Sequence, residues 1–147
     1  MDASARRGIE QDCRDLIMAM AQYCDHREFA LAVALFAEEC EWVRMGASYE
    51  GRAAVRRAYE SMPRERVARH LNGGTVVTVV DENHAESVTY YLSLGYERSA
   101  QENADLPIPL VCPVSMGEWR DEFVRTPDGW RFERRVTTRV FERKEHC

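Results

Sequence analysis

The side chains in this sequence best suited to moving a proton near neutral pH are its four histidines, His26, His70, His84 and His146. A neutral imidazole, with an ordinary pKa of about 6.5, takes a proton without first having to lose one. His70 stands where a charged stretch gives way to β-branched residues. His26 belongs to the polar corner Asp25-His26-Arg27-Glu28 and is expected to face solvent, His84 to a turn, and His146 to the C-terminal tail. No H-x-x-x-H spacing or facial-triad pattern joins them, so no metal is expected. Asp25 is either the last residue of one helix or the cap of the next. Read alone, Asp25 is a capping residue and His70 a histidine opening a strand. An imidazole bonded to a carboxylate does more: the carboxylate fixes the tautomer and stabilises the imidazolium as it forms. A base of that kind contributes on the order of 10²–10⁴-fold in rate. Its natural reactions are β-elimination of water, isomerisation and aldol-type cyclisation, none of which requires a cofactor.

Other residues could shape a site around such a base. Tyr23, Trp42, Tyr49 and Tyr90 are candidate pocket walls, and each could equally be core packing. Asp121 lies between Trp119 and Phe123, and Arg135 falls on a neighbouring strand. Pointing inward, the two would form a buried ion pair or hold a polar substrate group; pointing outward, they would be an ordinary cross-strand pair. The outward placement is expected for Asp121, and Arg135 is open. The five cysteines, Cys13, Cys24, Cys40, Cys112 and Cys147, are odd in number and contain no C-x-x-C. Neither a disulfide framework nor a zinc site follows, and a reducing, cytoplasmic compartment fits best.

These residues are positioned by elements whose patterns are readable. Ile9, Cys13, Leu16, Ile17, Met20 and Cys24 recur at three- and four-residue steps and mark a helix from Ala5 to about Asp25. A second helix runs from Phe29 to near Glu39, a short strand from Cys40 to Met45, and a turn and loop lie between Gly46 and Gly51. Arg52–Met62 is a third helix stopped by Pro63, and Arg64–Arg69 one further helical turn ending at His70. The period then becomes two. Thr75–Val80, Glu86–Tyr96, Met116–Thr126 and Trp130–Arg143 read as strands, with Asp81-Glu82-Asn83 and Pro127-Asp128-Gly129 as turns. In the Glu86–Tyr96 strand, Val88, Tyr90, Leu92, Leu94 and Tyr96 form one apolar face. The proline-stiffened stretch 97–113 is either a lid on a cavity or a surface flap or oligomer contact. Helices followed by strands indicate an α+β fold, helices on one face of a largely antiparallel sheet.

The 147 residues fit one domain spanning 1–147. With 20 basic and 25 acidic residues the net charge is −5, which argues against a nucleic-acid partner. No apolar run approaches a membrane span, and the charged N-terminus lacks a secretory h-region.

The motifs Tyr23-Cys-Asp25-His-Arg-Glu-Phe29, Leu35-Phe36-Ala37-Glu-Glu-Cys-Glu-Trp42, Tyr49-Glu-Gly51-Arg, Arg69-His70-Leu-Asn72 and Asp128-Gly129-Trp130-Arg-Phe-Glu-Arg-Arg135 span nearly the whole chain. In order and spacing they resemble the SnoaL-like family of the nuclear-transport-factor-2-like (NTF2-like) superfamily, which includes scytalone dehydratase, bile-acid dehydratase, a hexachlorocyclohexane dehydrochlorinase and polyketide cyclases. The resemblance implies a cone: three N-terminal helices against a curved sheet, around a mostly apolar cavity. It also implies that Asp25 and His70 face each other as the catalytic pair, acting on a small hydrophobic substrate. Tyr23, Trp42, Tyr49, Tyr90 and Arg135 are the candidate substrate-binding residues, and a homodimer or homotrimer is expected. The rival expectation is an assembly module similar to the small subunit of ring-hydroxylating dioxygenases, with a filled cavity and the pair out of contact. A third is a hydrolase or cyclase using Asp25 alone as acid.

Overall fold

A computed structural model of the chain describes residues 1–97, 106–108 and 115–143. The elements are α1 (Ala3–Asp25), α2 (Phe29–Ala34), β1 (Phe36–Arg44), β2 (Ala47–Glu50), α3 (Gly51–Glu60), β3 (Arg66–Val79), β4 (His84–Glu97), β5 (Ser115–Thr126) and β6 (Gly129–Glu142). The strands form one sheet in the order β2-β1-β6-β5-β4-β3. Among the described strands only the β1–β6 pair is parallel; the other pairs are antiparallel. Among the described residues no helix is long and apolar enough to cross a membrane.

Helix α1 starts where Asp2 Oδ1 accepts from the N–H groups of Ser4 and Ala5, both at 2.8 Å, satisfying two donors that have no partner within the helix. Its buried stripe of Ile9, Cys13, Ile17, Met20 and Ala21 lies over the inner face of the sheet. The centre of that core is Phe132, with ring centroids 5.0 Å from Phe123 and 5.5 Å from Phe36.

Four local expectations need correction. The second helix stops at Ala34, not near Glu39. Phe132 N–H donates to Leu35 O at 2.9 Å, and Phe36 pairs with Phe132 in register. Burying Phe36 outweighs the helical propensity of Ala37-Glu38-Glu39, and the two exposed glutamates fall within a register shift between Phe36 and Glu41. The stretch between Gly46 and Gly51 is a strand, β2. Met45 and Gly46, at φ 52° and 79°, make the tight hairpin turn whose twist suits paired strands, and Tyr49 lands opposite Trp42.

Arg64–Arg69 does not extend a helix, since β3 begins at Arg66 and His70 lies within it. Pairing with β4 continues from Val79 to Arg66, supplying backbone hydrogen bonds that an isolated helical turn could not match. Where Asn72 opposes Tyr91 and Thr75 opposes Thr89, Gly73 and Gly74 add one extra residue to the ladder. Such a bulge bends its strand. A Cβ on Gly73 would lie 3.2 Å from Tyr90 O.

The apolar face of β4 is the outer one. Ala85, Ser87, Thr89, Tyr91 and Ser93 are buried, whereas Tyr90 is 56% exposed. The inner face of a curved sheet lying beneath a helix leaves space for small side chains: Thr75 Oγ1 donates to Thr89 Oγ1 at 3.1 Å, whereas the buried Ser87 Oγ has no partner among the described residues. On the outer face, register aligns Leu71, Leu92, Met116 and Phe141 across four strands, and Leu71, Met116 and Phe141 are exposed. The expected lid or flap at 97–113 lies outside the described residues apart from Glu97 and Leu106–Ile108.

Candidate active site

Asp25 is the last residue of α1, where a carboxylate faces the negative end of the helix dipole at a cost of roughly 0.3–1 kcal/mol. Its side chain is nevertheless 6% exposed, held by two bonds to one residue. His70 N–H donates to Asp25 Oδ2 at 2.7 Å, and His70 Nδ1 lies 2.6 Å from Asp25 Oδ1. Because β3 is an edge strand, its outward N–H groups have no strand to pair with, and Asp25 takes one of them. A carboxylate can only accept, so Nδ1 carries the proton and Nε2 presents a lone pair. Both residues border the pocket described below.

The corner holding Asp25 is stiff. Glu28 N–H donates to Tyr23 O at 2.8 Å and Arg27 N–H to Cys24 O at 3.1 Å, the paired bonds of a Schellman cap. Arg27 occupies the left-handed position at φ 60°, where glycine is usual. Its guanidinium donates to Pro63 O at 2.9 Å and Met62 O at 3.3 Å and lies 4.9 Å from the centroid of Phe29. These contacts tie the end of α1 to the end of α3. Nothing in the sequence marks Arg27 for this conformation. His26 is the C-cap and bonds Gln22 O through Nδ1 at 2.9 Å, exposed as expected. His84 is the first residue of β4 rather than a turn residue; it too is exposed, bonded to Asp81 at 3.0 Å. His146 lies outside the described residues.

Beside the pair is a cavity of about 110 Å³. Trp42, Tyr59, Tyr91 and Trp119 form its aromatic walls, with Phe29 and Met20 adding apolar surface. Tyr91 stacks on Trp119 at 4.8 Å, Trp42 on Tyr59 at 4.8 Å, and the His70 ring is 5.8 Å from Trp119. Of the expected walls, Trp42 and Arg135 line the cavity. Tyr23 and Tyr49 pack against the core outside it, Tyr49 behind Trp42 at 5.7 Å. Tyr90 is on the outer face, and Tyr91 takes its place. Sequence reasoning passed over Tyr59, Tyr91 and Trp119 as pocket residues. Trp119 shares the face of Phe123, a signal that could have located the inner side of β5 and hence of β4.

Asp121 points inward, contrary to expectation, at 2% exposure, with Arg135 at 3%. Arg135 Nε and Nη2 donate to Asp121 Oδ1 and Oδ2 at 2.7 and 2.8 Å, a planar two-point match. The guanidinium also lies 4.3 Å from the Phe132 centroid and 4.8 Å from that of Trp119. Burial opposes its charge, but Asp121 outweighs burial and holds Arg135 above its ordinary pKa.

Burial pushes the Cys24 thiol, on the pocket wall, up to about 11 from 9.0. It pushes Cys13, in the core, up to about 12. Both therefore stay protonated at neutral pH, and at pH 8 the Cys24 thiolate fraction is about a hundredfold below that of an unfolded thiol. Iodoacetamide should modify native Cys24 at least tenfold more slowly than the urea-unfolded chain; equal rates would contradict this environment. Folded values above the unfolded one give a contribution that is complete below pH 9 and is lost as pH rises toward 11 and 12. The urea midpoint should fall with pH over that window.

Helices backing a curved mixed sheet, with an apolar pocket opening beside them, define the NTF2-like architecture. The chain belongs to the SnoaL-like domain family, whose sequence profile matches residues 8–136. No curated protein sequence matches it. Among solved structures, it is similar to a candidate scytalone dehydratase from Novosphingobium aromaticivorans, with 18% identity, a TM-score of 0.80, and 99% of this chain and 93% of that one covered. It is also similar to ActVI-ORFA from Streptomyces coelicolor, with 22% identity, a TM-score of 0.74, and coverage of 90% and 98%. The type 3 hexachlorocyclohexane dehydrochlorinase LinA from Novosphingobium barchaimii has 14% identity, a TM-score of 0.77, and coverage of 97% and 93%. At these identities the likeness establishes the fold alone.

Proposed function

We propose that this chain is a cofactor-independent lyase or isomerase of the dehydratase or cyclase type, acting on a small hydrophobic metabolite. The observation that carries the reading is the two-point grip of Asp25 on His70 at the edge of an apolar pocket. In an elimination, His70 Nε2 takes a proton from the carbon next to a substrate carbonyl. Asp25 stabilises the imidazolium that results, and the same N–H then delivers the proton to the departing hydroxyl as water. The carbon–hydrogen electrons become the new carbon–carbon double bond, and the base is regenerated. Relatives of the same fold carry dehydratase and dehydrochlorinase names, which is consistent with this chemistry.

The test is turnover of a panel of cyclic β-hydroxy ketones, with and without a carboxylate on the ring, followed by enone absorbance, in the wild type, His70→Gln and Asp25→Asn. Activity in the wild type that collapses in both variants is expected. Activity that persists in His70→Gln would transfer the role to Asp25 alone or end the reading. The assembly-module alternative expects a filled cavity and a separated pair, and among the described residues neither feature is present. The homodimer or homotrimer is part of the same proposal, supported by the exposed outer row Leu71, Met116 and Phe141. Sedimentation equilibrium of the full chain should give a dimer or trimer mass at micromolar concentration, and a monomer would remove it.

A further inference from the structure

Proton transfer in an apolar pocket does not require cations, yet five arginines line this one: Arg27, Arg44, Arg66, Arg135 and Arg139. Asp25 is the carboxylate among the lining residues, and it is committed to His70. Three of the arginines have evident partners. Arg135 is matched to Asp121, Arg27 to the carbonyls of Pro63 and Met62, and Arg139 to the exposed Glu142. Arg44 and Arg66 differ: among the described residues neither forms an ion pair with a carboxylate. Both are half-buried. Arg44, the last residue of β1, lies 5.4 Å from the centroid of the Trp42 ring, so its charge sits directly over the pocket wall. Arg66, the first residue of β3, shares an inner face with Ala68 and His70.

Strand ends converge at this mouth. Burial, followed by the like charges of Arg66 and Arg139, pulls Arg44 below its ordinary pKa, only partly offset by Tyr59 and Tyr49. Half-buried like charges gathered at one mouth, with no carboxylate paired to Arg44 or Arg66 among the described residues, are unfavourable. An anion would relieve the repulsion, and planar guanidinium groups match a carboxylate with two parallel N–H···O bonds.

We propose that Arg44 and Arg66 form a carboxylate-binding rim, so that the substrate is a small aromatic or alicyclic acid. The inference rests on the proposed function in placing the reacting carbon beside His70. The apolar body lies against Trp42, Tyr91 and Trp119, and the acid group reaches back to the mouth. The rim thereby orients the substrate, and neutral analogues of the same shape bind poorly.

Equilibrium binding tests this without turnover. Benzoate, its neutral near-isostere benzamide, and inorganic phosphate are titrated into the full chain by isothermal calorimetry at low salt. Benzoate should bind about tenfold or more tightly than benzamide, as expected for charge-assisted bonds. The margin should shrink with added salt. Arg44→Gln/Arg66→Gln should reduce the preference to within about twofold while leaving benzamide binding in place. Arg66→Gln alone, at the start of an edge strand, should lose part of it and guards against a double variant that fails to fold. His70→Gln should keep the preference, so loss of catalysis and loss of anion binding separate cleanly. Equal affinity for benzoate and benzamide, or no saturable binding of either, would overturn the proposal. So would a preference that survives the arginine variants, one that vanishes in His70→Gln, or phosphate binding more tightly than benzoate.

Discussion

His70→Gln is expected to lower kcat for the proton-transfer reaction by about 10²–10⁴-fold, with KM and the circular dichroism spectrum little changed. Glutamine can still donate a side-chain N–H to Asp25 Oδ1, and its backbone N–H can still bond Oδ2, so the edge of β3 stays anchored. What disappears is the lone pair that Nε2 presents to the pocket. Asp25→Asn should lose a comparable factor by a different route. The asparagine oxygen can keep the backbone bond now 2.7 Å long, but its NH₂ then faces Nδ1 and selects the wrong tautomer, with the proton on Nε2. Since both changes disable one unit, the double variant should be little worse than either single one. A loss below tenfold in both variants would mean that the pair merely anchors the end of α1 to β3.

How much of this was legible in the sequence depended on whether the signal was local. The stripe from Ile9 to Met20 repeats within α1 itself, and Pro127-Asp128-Gly129 carries its own turn chemistry, so both elements fall where expected. Asp25 and His70, 45 residues apart, come together as expected through the family resemblance; spacing by itself could not join them. Other features depend on distant partners. Phe36 begins a strand because Phe132 is beside it, and Arg66 begins one because β4 extends to Glu97. Alternation in β4 identified the residues sharing a face, but not which face lies inside. The usual rule, apolar inward, fails where a curved sheet carries small hydroxylated residues on its concave side and an exposed apolar row on its convex side. The same inversion moved Tyr90 out of the pocket and brought Tyr91 in. For Asp121, the neighbours Trp119 and Phe123 indicated the inward placement, but a buried carboxylate is improbable until its cation is known.

That buried ion pair is the source of the largest expected stability effect. Asp121→Asn should destabilise the fold by about 3–5 kcal/mol, because the Arg135 guanidinium would remain charged between Trp119 and Phe132 without its partner. For a chain of this length the thermal midpoint should fall by roughly 10–15 °C. Arg135→Met creates the opposite orphan, a buried carboxylate, and here the two variants diverge. A guanidinium cannot shed its proton in an accessible pH range, whereas a carboxyl group can neutralise itself by taking one up. In Arg135→Met the folded-state pKa of Asp121 would lie above its unfolded value. Stability is then highest below the unfolded pKa and is lost as pH rises through the folded one. Urea unfolding should accordingly show Arg135→Met distinctly less destabilised at pH 5 than at pH 8, while the deficit of Asp121→Asn stays nearly constant over that range. Asp121→Leu/Arg135→Met, which removes both charges, should recover most of the lost stability, since a well-paired buried ion pair and an apolar replacement differ little in net free energy. A double variant as unstable as Asp121→Asn would show that the pair contributes through packing against Trp119 and Phe132 and not through charge matching.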